Sequence, residues 1–127
     1  MPIQVLWDNS SANYEVLLFV FPSQWTWHDC KEALTQAELM ADEVKPPAVH
    51  MFDLTASELP QQTLIPLLRK CLQMQLSYHV RKTIFIERPH LTGLLAENLR
   101  LVLRDAERHS FDVTDSLPRA RALSQMR

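Results

Sequence analysis

The sequence predicts a single α/β domain spanning residues 1–127, with a mostly parallel, mixed sheet packed with helices in the order β-β-α-β-α-β-α-β-α. Two observations support this fold class. Short apolar runs rich in β-branched and aromatic residues recur along the chain, and most of the segments between them carry apolar residues spaced three and four apart. Strands that alternate with helices are typical of parallel sheets with right-handed crossovers. The length of 127 residues suits one domain with one core.

The chain is predicted to begin with a β-hairpin followed by a helix. The runs IQVLW at 3–7 and YEVLLFVF at 14–21 flank the polar segment DNSSAN, which has turn chemistry. Thr26 and Asp29 have the spacing of a capping box, which predicts a helix over 27–44 that two prolines end. Apolar residues at helical spacing are expected to face the core: Trp27, Cys30, Leu34, Ala37, Ala41 and Val44.

Strands and helices are predicted to alternate through the rest of the chain. In order they are strand 48–54, helix 63–76, strand 83–87, helix 91–108, strand 110–113 and helix 117–126. The run AVHMFDL is typical of a buried parallel strand. Pro66 tolerates a helix only in its first turn, which predicts a start at Gln62 or Thr63. Ser116 is the expected N-cap of the last helix.

Composition excludes several classes of function. With a single glycine, Gly93, the chain cannot build a P-loop or a dinucleotide fingerprint, and no cofactor is expected. A net charge of -2 gives no reason to expect binding to nucleic acid. The longest apolar run, VLLFVF, is too short to span a bilayer, and the first ten residues do not resemble a signal peptide. We therefore expect a cytoplasmic protein without membrane insertion, with Cys30 and Cys71 reduced.

Three segments resemble the STAS domain, the fold of the anti-sigma-factor antagonists (SpoIIAA-like). They are FDLTAS at 52–57, the helix that begins near Thr63, and DSLPRARAL at 115–123. The resemblance implies a non-catalytic regulatory domain that binds a protein partner. That partner would be an anti-sigma-factor-like kinase or a second copy of the chain in a homodimer.

The sequence departs from the family at its phosphorylation motif. Where phosphorylated members carry Asp-Ser-Ser-Gly at the start of the second helix, this chain has QQTL at 61–64, and Thr63 is the only hydroxyl residue left. The Gly-x-Leu-Asp expected after the hairpin is replaced by SQWT at 23–26. The resemblance therefore implies a lost phosphoswitch, in which Thr63 starts or caps the helix. The candidate docking residues are Thr55, Ser57, Gln62 and Thr63.

The sequence offers two other classes of function, an enzyme and a small-ligand carrier. Thr55 and Ser57 beside Asp53 suggest a nucleophile, but no Gly-x-Ser-x-Gly elbow is present, so turn residues are the expected reading. A small-molecule or lipid carrier with a cavity between helices and sheet is the alternative to a docking domain. A binding module would present a shallow surface around 55–63, whereas a carrier would enclose an apolar cavity.

Three further patterns in the sequence concern histidines, tryptophans and charge. The five histidines lack the spacing of a metal site, and His50 is expected to be a core or edge residue with one hydrogen bond. Trp25 and Trp27 are expected to pack at the entry of the first helix. Residues 1–58 carry nine acidic and two basic side chains, and residues 59–127 carry six and eleven. Whether the fold separates or interleaves these opposite charges stays open at this point.

Overall fold

The computed structural model describes residues 3–8, 16–43, 49–58, 61–78, 80–88, 97, 99–101, 103–104, 107 and 109–125, and at 61–64 it describes the backbone. Its strands are β1 (Gln4–Trp7), β2 (Val16–Val20), β3 (Val49–Asp53), β4 (Lys82–Ile86) and β5 (Phe111–Thr114). The helices whose bounds it describes are α1 (Trp27–Glu43), α2 (Gln61–Tyr78) and α3 (Leu117–Gln125). Most of the helix predicted over 91–108 lies outside the described residues, although Glu97 and 99–101 are helical.

The five strands form one mixed sheet in the order β1-β2-β3-β4-β5. β1 pairs antiparallel with β2, and the other three neighbouring pairs are parallel. The predicted α/β class and the terminal hairpin are thereby confirmed. The observed strands lie within the predicted ranges or are shifted from them by one residue.

The start of α1 is a capping box, as its sequence predicts. The Asp29 amide donates to the Thr26 hydroxyl at 3.2 Å, and the Thr26 amide donates to the Asp29 carboxylate at 2.9 Å. The hydrogen bond from the Thr26 amide to the Asp29 carboxylate, together with the Thr26 hydroxyl, lowers the pKa of Asp29. The buried stripe of α1 consists of Cys30, Ala33, Leu34, Ala37 and Ala41. Trp27 was predicted to face the core, but its ring is only partly buried there. The neighbouring Trp25 is the more buried of the two, with 6% of its surface exposed.

The start of α2 differs from the prediction. The helix begins at Gln61, so Pro66 is its sixth residue and lies inside it. Pro66 has no N–H to donate to the carbonyl of residue 62, a loss that the helix tolerates at one position. Because Thr63 is the third helical residue, it does not occupy the N-cap position that the sequence suggested.

The sheet separates two apolar layers. On one face, α1 and α2 cover a core that includes Leu17, Phe19, Phe52 and Phe85. On the other face, α3 covers a smaller apolar layer. Ala120 is buried in this layer, and Leu117 and Leu123 are partly buried against it. The strand residues of this smaller apolar layer are Val16, Leu18, Val49, Met51, Ile84 and Ile86. In the described part of the chain, no helix is long and apolar enough to cross a membrane.

Candidate functional site

The segment from Asp53 to Glu58, here called the β3 corner, lies at the edge of the sheet where parallel strands end. Because β2, β3 and β4 are parallel, their carboxyl ends share this edge, and ligand sites of open α/β sheets are found there. The Phe21 amide donates to the Asp53 carbonyl at 3.0 Å, and the Leu54 amide donates to the Ile86 carbonyl at 2.8 Å. These bonds extend the sheet pairing up to the corner and fix its starting point.

Asp53 organises the first turn of the β3 corner. Its Oδ1 accepts hydrogen bonds from the Thr55 amide at 3.1 Å and from the Thr55 hydroxyl at 2.6 Å. This is the local Asp-turn bonding by which Asp commonly ties down a tight turn. The carboxylate could act as a base for the hydroxyl, but acyl transfer also needs free donors for an oxyanion. The amides of Thr55 and Ser57 are both bonded inside the turn, which favours the turn interpretation.

Ser57 joins the corner to the entry of α1. Its hydroxyl accepts a buried hydrogen bond of 2.6 Å from the indole nitrogen Nε1 of Trp25, and its amide donates to the Leu54 carbonyl at 3.0 Å. Ser57 has no exposed surface. Although Ser57 was a candidate docking residue, in this conformation its side chain supports the corner from below and cannot touch a partner.

Arg88 holds the corner from the side of β4. Its Nε donates to the Thr55 carbonyl at 2.7 Å, and its Nη2 donates to the Ala56 carbonyl at 2.9 Å. A guanidinium that bonds two successive carbonyls fixes the orientation of both of their peptide planes. The sequence interpretation missed Arg88, although its position two residues after β4 places it at the same sheet edge as the residues that follow β3.

The exposed part of the corner forms a small polar surface with the segment that follows β2. Thr55, Ala56 and Glu58 are exposed, and so are Ser23 and Gln24. The Glu58 amide donates to the Ser23 carbonyl at 3.0 Å, which brings the two segments together. We call these five residues the corner surface. Gln62 and Thr63 follow in the first turn of α2, and their side chains lie outside the described part of the structure.

His50 is a buried polar residue in the middle strand of the sheet. It is 2% exposed and lies beside the rings of Phe19 and Phe52, with centroid distances of 5.4 Å and 6.4 Å. Its Nδ1 has no hydrogen-bond partner among the described residues, so the expected single bond is not found at this atom. Burial lowers the pKa of His50 to about 4. The neutral imidazole is therefore the stable form in the fold.

Both cysteines are buried as free thiols in the layer between α1, α2 and the sheet. Burial raises the pKa of Cys30 to about 12 and raises that of Cys71 as well. Since the thiolate is the reactive form, these side chains behave as small apolar residues. Among the described residues, no three His, Cys, Asp or Glu side chains are grouped so that they could hold a metal ion.

An open groove of about 430 Å³ lies on the outer side of α1, where the described lining residues are His28, Lys31, Glu32 and Thr35. His28 and Glu32 contact each other across one helical turn at 2.9 Å. All four residues are polar and exposed, which differs from the enclosed apolar cavity that a lipid carrier needs.

Comparisons of the chain with models of protein families, with curated proteins and with solved structures found no match.

Proposed function

We propose that this chain is a non-catalytic, STAS-like protein-interaction domain that docks a protein partner on the corner surface. The observation that carries the proposal is an exposed turn held rigidly from three directions. Asp53 bonds Thr55, Arg88 bonds the carbonyls of Thr55 and Ala56, and Trp25 supports Ser57 from the core.

A turn fixed in this way suits docking because it is ordered before the partner arrives. Binding a loose loop costs conformational entropy that reduces affinity, whereas a preorganised surface avoids most of this cost. The resemblance to anti-sigma-factor antagonists supports the same function, since it concerns FDLTAS, the segment that forms the corner. Because residues 61–64 lack the Asp and the Gly of the family's phosphorylation motif, the proposed docking is constitutive and independent of phosphorylation.

The test is a substitution that blocks the corner surface without removing a buried contact. Ala56 is exposed, so Ala56→Arg adds bulk and charge on the outside while the backbone bonds to Arg88 can persist. The matched control is Thr35→Arg, which places the same side chain on the exposed face of α1. Proteins retained by the immobilised wild-type chain are identified by mass spectrometry, and each is then titrated by calorimetry against all three forms.

We expect a true partner to bind the wild type and Thr35→Arg with similar affinity and to bind Ala56→Arg at least about tenfold more weakly, a loss of about 1.4 kcal/mol. Equal binding to all three forms would show that the corner is not the docking site. A stoichiometric lipid or small molecule released from the denatured wild-type protein would instead support the carrier alternative.

A further inference from the structure

β1 is an edge strand whose outer side is open in the described part of the structure. The sheet order begins with β1, which has β2 as its neighbour on one side. An open edge presents backbone N–H and C=O groups in the spacing that another strand can bond. Because these backbone groups bond another backbone in the same spacing, the partner that fits the edge is an extended strand.

The hydrogen-bond pattern identifies which residues present these groups. The Asp8 amide donates to the Val16 carbonyl at 2.9 Å, so these two residues form a hydrogen-bonded pair. In an antiparallel ladder such pairs recur at every second residue, and Leu6 opposite Leu18 is therefore the next one. Val5 and Trp7 then direct their N–H and C=O groups away from β2, toward the open edge.

The side chains of β1 lack the features that usually protect an edge. Gln4, Val5, Leu6 and Trp7 include no charged residue and no proline. The edge strand on the other side of the sheet, β5, carries Asp112 in an ion pair with Lys82 at 3.0 Å. Charged residues at an edge oppose pairing with another chain, and β1 has none.

β1 also presents apolar surface on both sides of the sheet. Leu6 is 42% exposed, and it lies on the face opposite to α1. Val5 and Trp7 point to the α1 face, where both are only partly buried against the core. A partner strand at this edge would cover apolar atoms above and below the sheet at once.

We propose that β1 pairs antiparallel with β1 of a second copy, which joins two sheets into one of ten strands. A two-fold axis through Leu6 places Leu6 against its own counterpart and Val5 against Trp7 of the other copy. Val5 and Trp7 are the residues with outward backbone groups, so this register forms four hydrogen bonds. Leu6 then occupies a pair without hydrogen bonds, where opposing side chains come closest.

The register with the axis through Leu6 is favoured over the register with the axis through Val5, because it places the apolar side chains of β1 opposite apolar side chains. A two-fold axis through Val5 would place Leu6 opposite Gln4 and would leave the leucine against a polar group. With three residues of β1 paired in each copy, the interface is smaller than that of a stable complex, which buries roughly 1,600 Å². The dimer is therefore weak and concentration-dependent.

The test is sedimentation velocity over a hundredfold range of protein concentration for the wild type and three variants. Leu6→Lys adds a charge at the centre of the interface. Val5→Pro removes an outward N–H, a change that an edge strand tolerates because the bond to β2 is not involved. The matched control is Val113→Pro on β5, which is also a partly buried valine at an edge.

Val113 also points its N–H outward. The carbonyls of Ser110 and Thr114 accept hydrogen bonds from the β4 side, at 2.8 Å and 3.0 Å. Because successive residues of a strand direct their backbone groups to opposite sides, the N–H and C=O of Val113 point away from β4. Circular dichroism of each variant shows whether the fold is kept.

We expect the wild type and Val113→Pro to shift from monomer to dimer as concentration rises, and Leu6→Lys and Val5→Pro to raise the Kd of the dimer at least tenfold. A wild-type chain that stays monomeric throughout overturns the proposal. A dimer that survives both β1 variants overturns it as well, and neither result bears on docking at the corner surface.

Discussion

At the scale of single residues, the candidate site shows what a sequence can and cannot predict. The segment DLTAS marks the β3 corner because an Asp followed by hydroxyl residues after an apolar run is turn chemistry. The role of Ser57 could not be predicted, because its partner Trp25 is 32 residues away along the chain. The pattern predicts that Ser57 belongs to the turn, but only the packing shows that its hydroxyl is buried under it.

His50 has a consequence for acid stability. The pKa of His50 is about 4 in the fold, against a usual value of 6.5. Between these pH values the unfolded chain binds a proton that the folded chain does not, so stability falls as pH decreases from 6.5 to 4. At about 1.4 kcal/mol per pKa unit, the full loss is about 3 kcal/mol.

We expect this acid-dependent loss to disappear in His50→Phe, which keeps a planar ring beside Phe19 and Phe52. Urea unfolding from pH 7 to pH 4 measures the difference between the two proteins, so that contributions of carboxylates common to both cancel. NMR titration of the His50 ring in the wild type gives the pKa directly. A His50 that titrates near 6.5, or parallel pH curves for the two proteins, would contradict the prediction.

At the scale of elements, prediction succeeded where the determinants are local. The capping box of α1 is formed by residues three apart, and the pairing of β1 with β2 follows from two apolar runs on either side of a short polar sequence. The start of α2 was predicted wrongly because the rule that places proline in a first turn was applied too strictly. Pro66 lies within a helix of 18 residues, where the remaining backbone bonds and the buried Leu67 and Leu68 outweigh one missing bond.

Two threonines near helix starts should therefore respond differently to the same substitution. Thr26→Ala removes the hydroxyl that accepts from the Asp29 amide and should lower the free energy of unfolding by about 1 kcal/mol. Thr63 is the third residue of α2, so Thr63→Ala removes no N-cap and should cost less than about 0.5 kcal/mol. Urea denaturation at neutral pH compares the two, with Thr26→Ser as a control that keeps the cap. Equal losses at both sites would mean that Thr63 has a role beyond its place in the helix.

At the scale of the whole molecule, the fold brings the two oppositely charged halves of the chain together. Residues 1–58 have a net charge of -7 and residues 59–127 a net charge of +5. Among the residues that the structure describes, two ion pairs connect the halves, one between Asp8 and Arg121 and one between Glu38 and Lys70. The strands of each half stay together in the sheet and meet at one boundary, between β3 and β4. The two halves are therefore separate within the sheet and come together where α3 packs on strands of the first half and at these ion pairs.

These two ion pairs should differ in their effect on stability. Arg121 bonds Asp8 through Nε and Nη2, both at 3.1 Å, and the Asp8 side chain is 5% exposed. Lys70 and Glu38 are 3.8 Å apart, and each side chain is 34% exposed. A solvated pair contributes little, whereas removing one partner of a buried pair leaves a charge that water cannot reach.

We expect Lys70→Ala to lower the free energy of unfolding by less than about 1 kcal/mol and Arg121→Ala to lower it by about 1–3 kcal/mol, less than for a fully buried pair because Arg121 is 40% exposed. Arg121→Lys should recover only part of the loss, since an ammonium cannot form the two parallel bonds of a guanidinium. Urea unfolding at low and high salt measures all three variants. Salt should reduce the small effect at Lys70 and leave most of the effect at Arg121, because screening acts mainly on exposed charges. If the two alanine variants lost the same stability, or if salt abolished the effect at Arg121, the link between Asp8 and α3 would be a surface contact rather than a buried one.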